Sequence, residues 1–89
     1  MLYAVKIRMN YRCWSSQHPA DIAQIYINGW GWRTKEYLHD YLKKYPGSIA
    51  VNLPPYPRLI PDISSRGERY VRSNPNPYLF DNLLNLPVE

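Results

Sequence analysis

The chain has 89 residues, a single cysteine and a formal net charge of +4, and these properties exclude several classes of protein. A chain of this length is expected to form one domain, residues 1–89, with a small core. One cysteine excludes an internal disulfide framework and suits a reducing compartment, so we expect a cytoplasmic protein. No apolar run approaches the roughly 20 residues of a membrane-spanning helix, and Lys6 and Arg8 interrupt the apolar N-terminus, which therefore does not resemble a signal peptide.

The aromatic residues are mostly of the two types that carry a polar atom, with nine tyrosines and three tryptophans against one phenylalanine. Such rings are typical of interfaces and of platforms that stack nucleic acid bases, whereas a dry core uses more Phe and Leu. Eleven basic residues against seven acidic ones add a moderate preference for anionic partners. The composition therefore favours a protein whose surface binds something.

Two β-strands are predicted first, over residues 2–9 and 21–28. In the first strand, alternation places four residues on the apolar face and Lys6 and Arg8 on the opposite one. The four apolar positions are Tyr3, Val5, Ile7 and Met9. The second strand places Ala23, Ile25 and Ile27 on one face and Ile22, Gln24 and Tyr26 on the other. A loop joins the two strands, and antiparallel pairing is the simplest arrangement.

A helix is predicted over residues 34–45, with Thr34 as its N-cap and Pro46-Gly47 as its end. Glu36 near the start and Lys43-Lys44 near the end both complement the helix dipole. The predicted apolar stripe consists of Tyr37, Leu38, Tyr41, Leu42 and Tyr45. His39 lies outside this stripe, so we expect it to be exposed to solvent.

Two further strands are predicted over residues 48–53 and 68–73. The segment between them, residues 54–61, contains Pro-Pro-Tyr-Pro; it is interpreted as a rigid connector, because proline cannot donate to a β-ladder. The resulting fold class is α+β. We expect a small ββαββ domain with one antiparallel or mixed sheet, a single helix covering one sheet face, and an extended C-terminal tail that packs back on the sheet or helix.

The C-terminal third carries a specific pattern. Tyr70-Val71-Arg72-Ser73 is followed by a polar turn, then by Asp81-Asn82-Leu83 and by Leu86-Pro87. This ending resembles that of domain-of-unknown-function family 3892, a family of very short bacterial and phage proteins. The family has no established activity, so the resemblance implies a relationship and no catalytic residues.

The first candidate site is the glycine-rich segment before the helix. A glycine turn at a helix start presents backbone N–H groups and a positive dipole end, which suit a phosphate or carboxylate. Nearby cations and tryptophans would add charge and a stacking surface. The residues of this site are Gly29, Trp30, Gly31, Trp32, Arg33 and Lys35. The alternative is a tight turn whose tryptophans plug the end of the sheet.

The second candidate site is a basic stripe. If the first and last predicted strands share one sheet, then Lys6 and Arg8 lie beside Arg69 and Arg72, with tyrosines such as Tyr70 between them. Cations that contact phosphates, with rings between them, are typical of single-strand binding. The alternative is that these residues serve only solubility and protect the sheet edge.

Catalysis has little support in the sequence. Cys13, His18 and His39 lack the spacing of a metal site, and the acidic residues show no pairing. A Cys13–His18 nucleophile pair has no evident third group to orient it. We therefore expect no enzyme activity, no metal and no cofactor.

The sequence thus predicts a small non-catalytic binding module. Its ligand is expected to carry phosphate, either as a small nucleotide, such as a signal that the protein sequesters, or as single-stranded nucleic acid. The alternative is a protein–protein adaptor or inhibitor that uses the aromatic, basic surface. A small core with abundant surface tyrosines also favours a homo-oligomer, with a dimer as the simplest form.

Overall fold

The computed structural model describes residues 1–13, 15–74 and 82–89, and these residues form an α+β arrangement, as predicted. The strands are β1 (Leu2–Met9), β2 (Ile22–Ile27), β3 (Gly31–Thr34), β4 (Ile49–Val51), β5 (Leu59–Ile63) and β6 (Arg69–Ser73). One α-helix, α1 (Lys35–Lys44), follows β3, and short 3-10 helices span Pro19–Asp21 and Asn82–Asn85. No helix in the described ranges is long and apolar enough to span a bilayer.

The strands form two sheets instead of the single sheet that was expected. The larger sheet has the order β3-β2-β1-β4, with β4 parallel to β1 and the other pairs antiparallel. The smaller sheet is the antiparallel pair β5-β6. Strand β3 was missed because it is four residues long and starts with glycine. Strand β5 was missed because it contains Pro61, which is compatible with a strand that has a free edge.

A bulge in β1 changes which of its side chains are buried. Ala4 pairs with Ile27 and Lys6 pairs with Tyr26, so Val5 is an extra residue on the β1 side. Ala4 and Ile7, three positions apart, are therefore both fully buried. The predicted alternation is wrong at Tyr3 and Val5, which are only partly buried. Lys6 and Arg8 remain on the opposite face, as predicted.

Helix α1 begins where the sequence predicts, with the Thr34 hydroxyl accepting a hydrogen bond from the Tyr37 backbone N–H. Leu38 and Leu42 are fully buried, as expected. The buried stripe is otherwise different: it consists of Lys35, Leu38, His39 and Leu42, at i, i+3, i+4 and i+7. The expectation that His39 faces solvent is wrong, since only 3% of it is exposed.

The stripe was mispredicted because two polar side chains have buried hydrogen-bond acceptors that the sequence does not reveal. His39 Nδ1 lies 3.0 Å from the Tyr70 carbonyl oxygen, and Lys35 donates to the Ala20 carbonyl. Tyr37 and Tyr45, which were expected to be buried, are about half exposed.

The C-terminal residues 82–89 pack back onto the molecule, as predicted, but Asn82–Asn85 form a 3-10 helix where an extended course was expected. Leu83 and Leu86 belong to the hydrophobic core. The Ile7 N–H donates to the Pro87 carbonyl, and the Glu89 N–H donates to the Ile7 carbonyl. The end of the chain therefore extends the larger sheet along the part of β1 that β4 does not reach. The predicted turn at residues 75–81 lies outside the described residues.

Candidate functional site

On the face of the larger sheet opposite the core, two rings and two cations cluster together, and we call this cluster the outer aromatic face: Lys6, Arg8, Tyr26 and Trp32. The β-pairing puts Lys6 opposite Tyr26, and Tyr26 opposite Trp32. These three residues therefore form one row across three neighbouring strands, which are about 4.8 Å apart. Arg8 lies two residues further along β1.

The four side chains form one connected cluster through their rings. The Tyr26 and Trp32 rings meet edge to face, with centroids 5.4 Å apart and planes at 83°. Lys6 Nζ lies 4.7 Å from the Tyr26 centroid, and Arg8 Cζ lies 4.0 Å from the Trp32 centroid. Cation–π contacts of this kind hold the charged groups over the rings without neutralising them.

Arg8 and Lys6 differ in their remaining partners. Arg8 donates to Gln24 Oε1 at 3.2 Å, and it forms no salt bridge with any carboxylate in the described part of the chain. Lys6 Nζ lies 3.0 Å from Glu89 Oε2. A guanidinium keeps five N–H donors, so Arg8 is oriented by Trp32 and Gln24 and still has donors for an anion.

The glycine-rich segment predicted as an anion site forms a hairpin turn instead. Gly29 lies in the three-residue connection between β2 and β3, and its φ of 90° is a value that glycine adopts without strain. Trp30 N–H donates to the Ile27 carbonyl within the same turn. The whole of β3, which begins at Gly31, separates the turn from α1. The structure therefore does not place this turn at the helix N-terminus.

The two tryptophans of that segment lie in different clusters. Trp32 belongs to the outer aromatic face. Trp30 packs partly against the core and meets the Tyr41 ring at 4.9 Å. The Arg33 guanidinium lies 5.8 Å from the Trp30 centroid and 5.7 Å from the Tyr37 centroid. Arg33 and Trp30 are thus together, as predicted, but Trp32 is not with them.

Lys35 does not face a ligand site. Its side chain is buried, and its ammonium group donates to the Ala20 carbonyl and to Glu68 Oε2. These bonds tie the start of α1 to the loop before β6 and to the first 3-10 helix. We therefore assign Lys35 a structural position.

The predicted basic stripe is wrong in its premise, because β6 pairs with β5 and not with β1. Arg69 forms a salt bridge with Asp40, and Arg72 forms one with Asp62 at 2.7 Å. Tyr70, which lies between these two arginines in the sequence, is buried. The structure therefore does not bring Arg69, Tyr70 and Arg72 to Lys6 and Arg8.

The Arg72–Asp62 pair also changes the acidity of the carboxyl group. The hydrogen bond from Arg72, together with one from the Ile63 backbone N–H, lowers the pKa of Asp62. Asp62 therefore stays ionised to lower pH than an isolated aspartate. Arg72 is correspondingly engaged in a charge pair and is less available to an external anion.

A polar cleft of about 250 Å³ opens on another part of the surface. Its lining comprises His18, Ala20, Asp21, Ser64, Ser65, Arg66 and Glu68. His18 Nδ1 accepts a hydrogen bond from the Ala20 N–H, and Asp21 accepts one from the Ser16 hydroxyl. Two acidic residues oppose one arginine here, so the cleft has no clear preference for an anion. Within the described ranges, no three His, Cys, Asp or Glu side chains are grouped to hold a metal ion.

Tyr26 is the member of the outer aromatic face that sequence reasoning did not propose as a site residue. The signal was present: alternation in the second strand separates Tyr26 from Ile25 and Ile27, which are both buried. Lys6 and Arg8 were proposed as site residues beside the last predicted strand, whereas their strand pairs with β2.

Comparison with known proteins gives one relationship. Residues 58–87 match the family model described as a protein of unknown function (DUF3892). No curated protein and no solved structure matches the chain. The matched segment contains β5, β6 and most of the C-terminal segment that packs on β1. The match confirms the relationship to domain-of-unknown-function family 3892 that the sequence pattern of the C-terminal third predicted.

Proposed function

We propose that the protein is a small, non-catalytic binding module that holds a phosphate-bearing ligand on the outer aromatic face. The ligand class that suits this face best is single-stranded nucleic acid, with bases against Tyr26 and Trp32 and phosphates at Arg8 and Lys6. The reducing cytoplasm, which the single cysteine suggests, is the compartment that we propose for it.

The observation that carries the proposal is the position of Arg8. Its guanidinium is held over the Trp32 ring at 4.0 Å and is paired with no carboxylate among the residues described. The surface arginines Arg69 and Arg72, in contrast, are both in salt bridges. An oriented cation beside partly exposed rings supports simultaneous contact with a phosphate and with a base.

The layout of the face favours a chain over a single nucleotide. Its contact groups are spread over β1, β2 and β3 in a row of three side chains, with a fourth side chain two residues away. Contact groups that lie on successive neighbouring strands suit a polymer, because its bases and phosphates repeat along the chain. A small nucleotide would contact only one ring and one cation. A shallow dependence of affinity on salt concentration would support that ligand instead.

Fluorescence anisotropy with a labelled oligothymidylate, measured over a range of salt concentrations, tests the proposal. Trp32→Ala is expected to weaken binding by about 1–3 kcal/mol, the value of one base–aromatic stack. Arg8→Ala is expected to weaken binding and to reduce the slope of log K against log salt by about 0.7, the contribution of one phosphate contact to a single strand. Circular dichroism checks that each variant folds.

Arg69→Ala is the matched control, because it removes the same charge from an exposed arginine that is already paired with Asp40. It should change affinity and slope much less than Arg8→Ala. Equal effects of the two variants would reduce the interaction to general charge attraction. If the protein binds no oligonucleotide and no nucleotide, the proposal fails and the adaptor function becomes the better one.

We also propose that the protein self-associates, most simply as a dimer, because a core of this size leaves many tyrosines partly exposed. Sedimentation of the same samples at micromolar concentration checks this point. A mass near 10.6 kDa would contradict it.

A further inference from the structure

A second aromatic surface lies on the other side of β3, and we call it the tyrosine row: Trp30, Tyr37, Tyr41 and Tyr45. Tyr37 and Tyr41 are four residues apart and so lie one turn apart on α1, and Tyr45 is the C-cap residue that follows the helix. Trp30 meets Tyr41 edge to face at 4.9 Å and Tyr37 at 6.5 Å, and Tyr41 meets Tyr45 at 4.9 Å. The rings therefore form a continuous line.

The tyrosine row is accessible and basic. Tyr37 and Tyr45 are 52% and 51% exposed. Arg33 lies over the Trp30 and Tyr37 rings, and no salt bridge joins it to a carboxylate of the described residues. Exposed Lys43 and Lys44 follow at the end of the helix. This combination of an oriented guanidinium and partly exposed rings repeats the arrangement of Arg8 on Trp32.

The two aromatic surfaces are separated only by the edge of β3. Strand β3 is the last strand of its sheet, and its alternation places Trp32 on the outer face and Arg33 on the helix side. The Arg33 side chain donates to the Trp32 carbonyl at 2.9 Å, so it covers a carbonyl oxygen of the strand from which it projects. A ligand crossing this short edge meets a guanidinium on each side of it.

We infer that a single strand bound to the outer aromatic face continues over the β3 edge onto the tyrosine row, with Arg33 contacting a phosphate at the crossing. This inference rests on the proposed function and specifies its ligand class: an unpaired strand several nucleotides long, rather than a mononucleotide or a duplex. Each surface supplies rings and an unneutralised cation, and the crossing requires a backbone that bends freely, which a single strand has.

The test measures affinity against oligothymidylates of about 4, 8 and 16 nucleotides, which cover the site sizes of small single-strand modules. Trp32→Ala should weaken binding at every length. Arg33→Ala and Tyr37→Ala should weaken binding of the two longer strands about five- to tenfold and change binding of the shortest less than twofold, since the shortest strand stays on the outer face. Tyr37→Ala leaves the Arg33 bond to the Trp32 carbonyl intact. A loss of affinity in this variant therefore reports contact with the nucleic acid and not a change in the structure of the β3 edge.

Arg66→Ala is the matched control, because it removes an exposed arginine from the turn before β6, far from both surfaces in sequence. Arg66→Ala should produce a small loss of affinity that does not depend on the length of the oligothymidylate. If Trp32→Ala weakens binding while Arg33→Ala and Tyr37→Ala behave like Arg66→Ala, the crossing is overturned and the proposed function stands. If wild-type protein binds strands of no length, both are overturned. Equal affinity for a duplex of the same length would also contradict the inference.

Discussion

Buried basic side chains are costly unless their N–H groups find acceptors inside the protein. His39 meets this requirement through the Tyr70 carbonyl, which lies 3.0 Å from its Nδ1. A carbonyl oxygen only accepts hydrogen bonds, so Nδ1 carries the hydrogen. This bond joins the middle of α1 to β6, and so couples the helix to the smaller sheet.

We expect His39→Ala to lower the free energy of unfolding by about 1–3 kcal/mol, because it removes a buried hydrogen bond and leaves a cavity. Urea unfolding followed by circular dichroism measures the change. Gln17→Ala is the control, since Gln17 is exposed in a loop, and it should stay within about 0.5 kcal/mol of the parent. A His39→Ala protein as stable as Gln17→Ala would contradict the structural assignment of this histidine.

At the scale of elements, helix α1 links the two sheets. Leu38 and Leu42 belong to one hydrophobic cluster with Ile25 of the larger sheet and Val71 of the smaller sheet. The helix dipole is also complemented, with Glu36 in the first turn and Lys43 and Lys44 in the last. Loss of apolar volume on the helix should therefore destabilise both sheets together.

Leu42→Ala is expected to cost about 2–4 kcal/mol, since Leu42 is fully buried and its truncation leaves a cavity. Lys43→Ala is the matched helix control, because Lys43 is exposed and alanine has at least equal helix propensity. Chemical denaturation should show a single transition for both variants, at much lower urea for Leu42→Ala. A small effect at Leu42 would mean that the helix does not pack as described.

The elements that could be predicted from sequence are those with a local cause. The cap at Thr34 and the proline-glycine end define α1 within its own segment. The burial of Lys35 and His39 was not predictable, because their acceptors come from residues distant in sequence: Ala20, Glu68 and Tyr70. Pairing of β6 with β5 was missed for a related reason: Pro61 in the partner strand argues locally against a strand.

The same distinction applies to the candidate site. Trp30, Trp32 and Arg33 were predicted as site residues from their types and closeness in sequence. Trp32 and Arg33 lie on opposite faces because β3 is a strand, in which successive side chains alternate, whereas Trp30 lies in the turn before this strand. The partnership of Arg8 with Trp32 depends on the sheet order β3-β2-β1, which no local pattern specifies.

At the scale of the whole molecule, β1 is where the two ends of the chain meet. Ile7 bonds through its backbone to Pro87 and Glu89, while the Glu89 carboxylate pairs with Lys6 on the outer aromatic face. The C-terminal segment therefore both closes part of the sheet edge and places a negative charge on the proposed phosphate-binding surface. That charge competes with a phosphate for Lys6.

Glu89→Gln removes this charge and retains the backbone hydrogen bonds to Ile7, so the fold should change little. The two side chains are 33% and 52% exposed, and an exposed ion pair contributes at most about 1 kcal/mol. We therefore expect oligothymidylate affinity to rise by up to about fivefold at low salt, with the gain shrinking as salt screens the pair. Glu36→Gln makes the same chemical change on α1 and controls for net charge. An equal gain in both variants would indicate a general charge effect, and a loss in Glu89→Gln would mean that the carboxylate positions Lys6 for its ligand instead of competing with it.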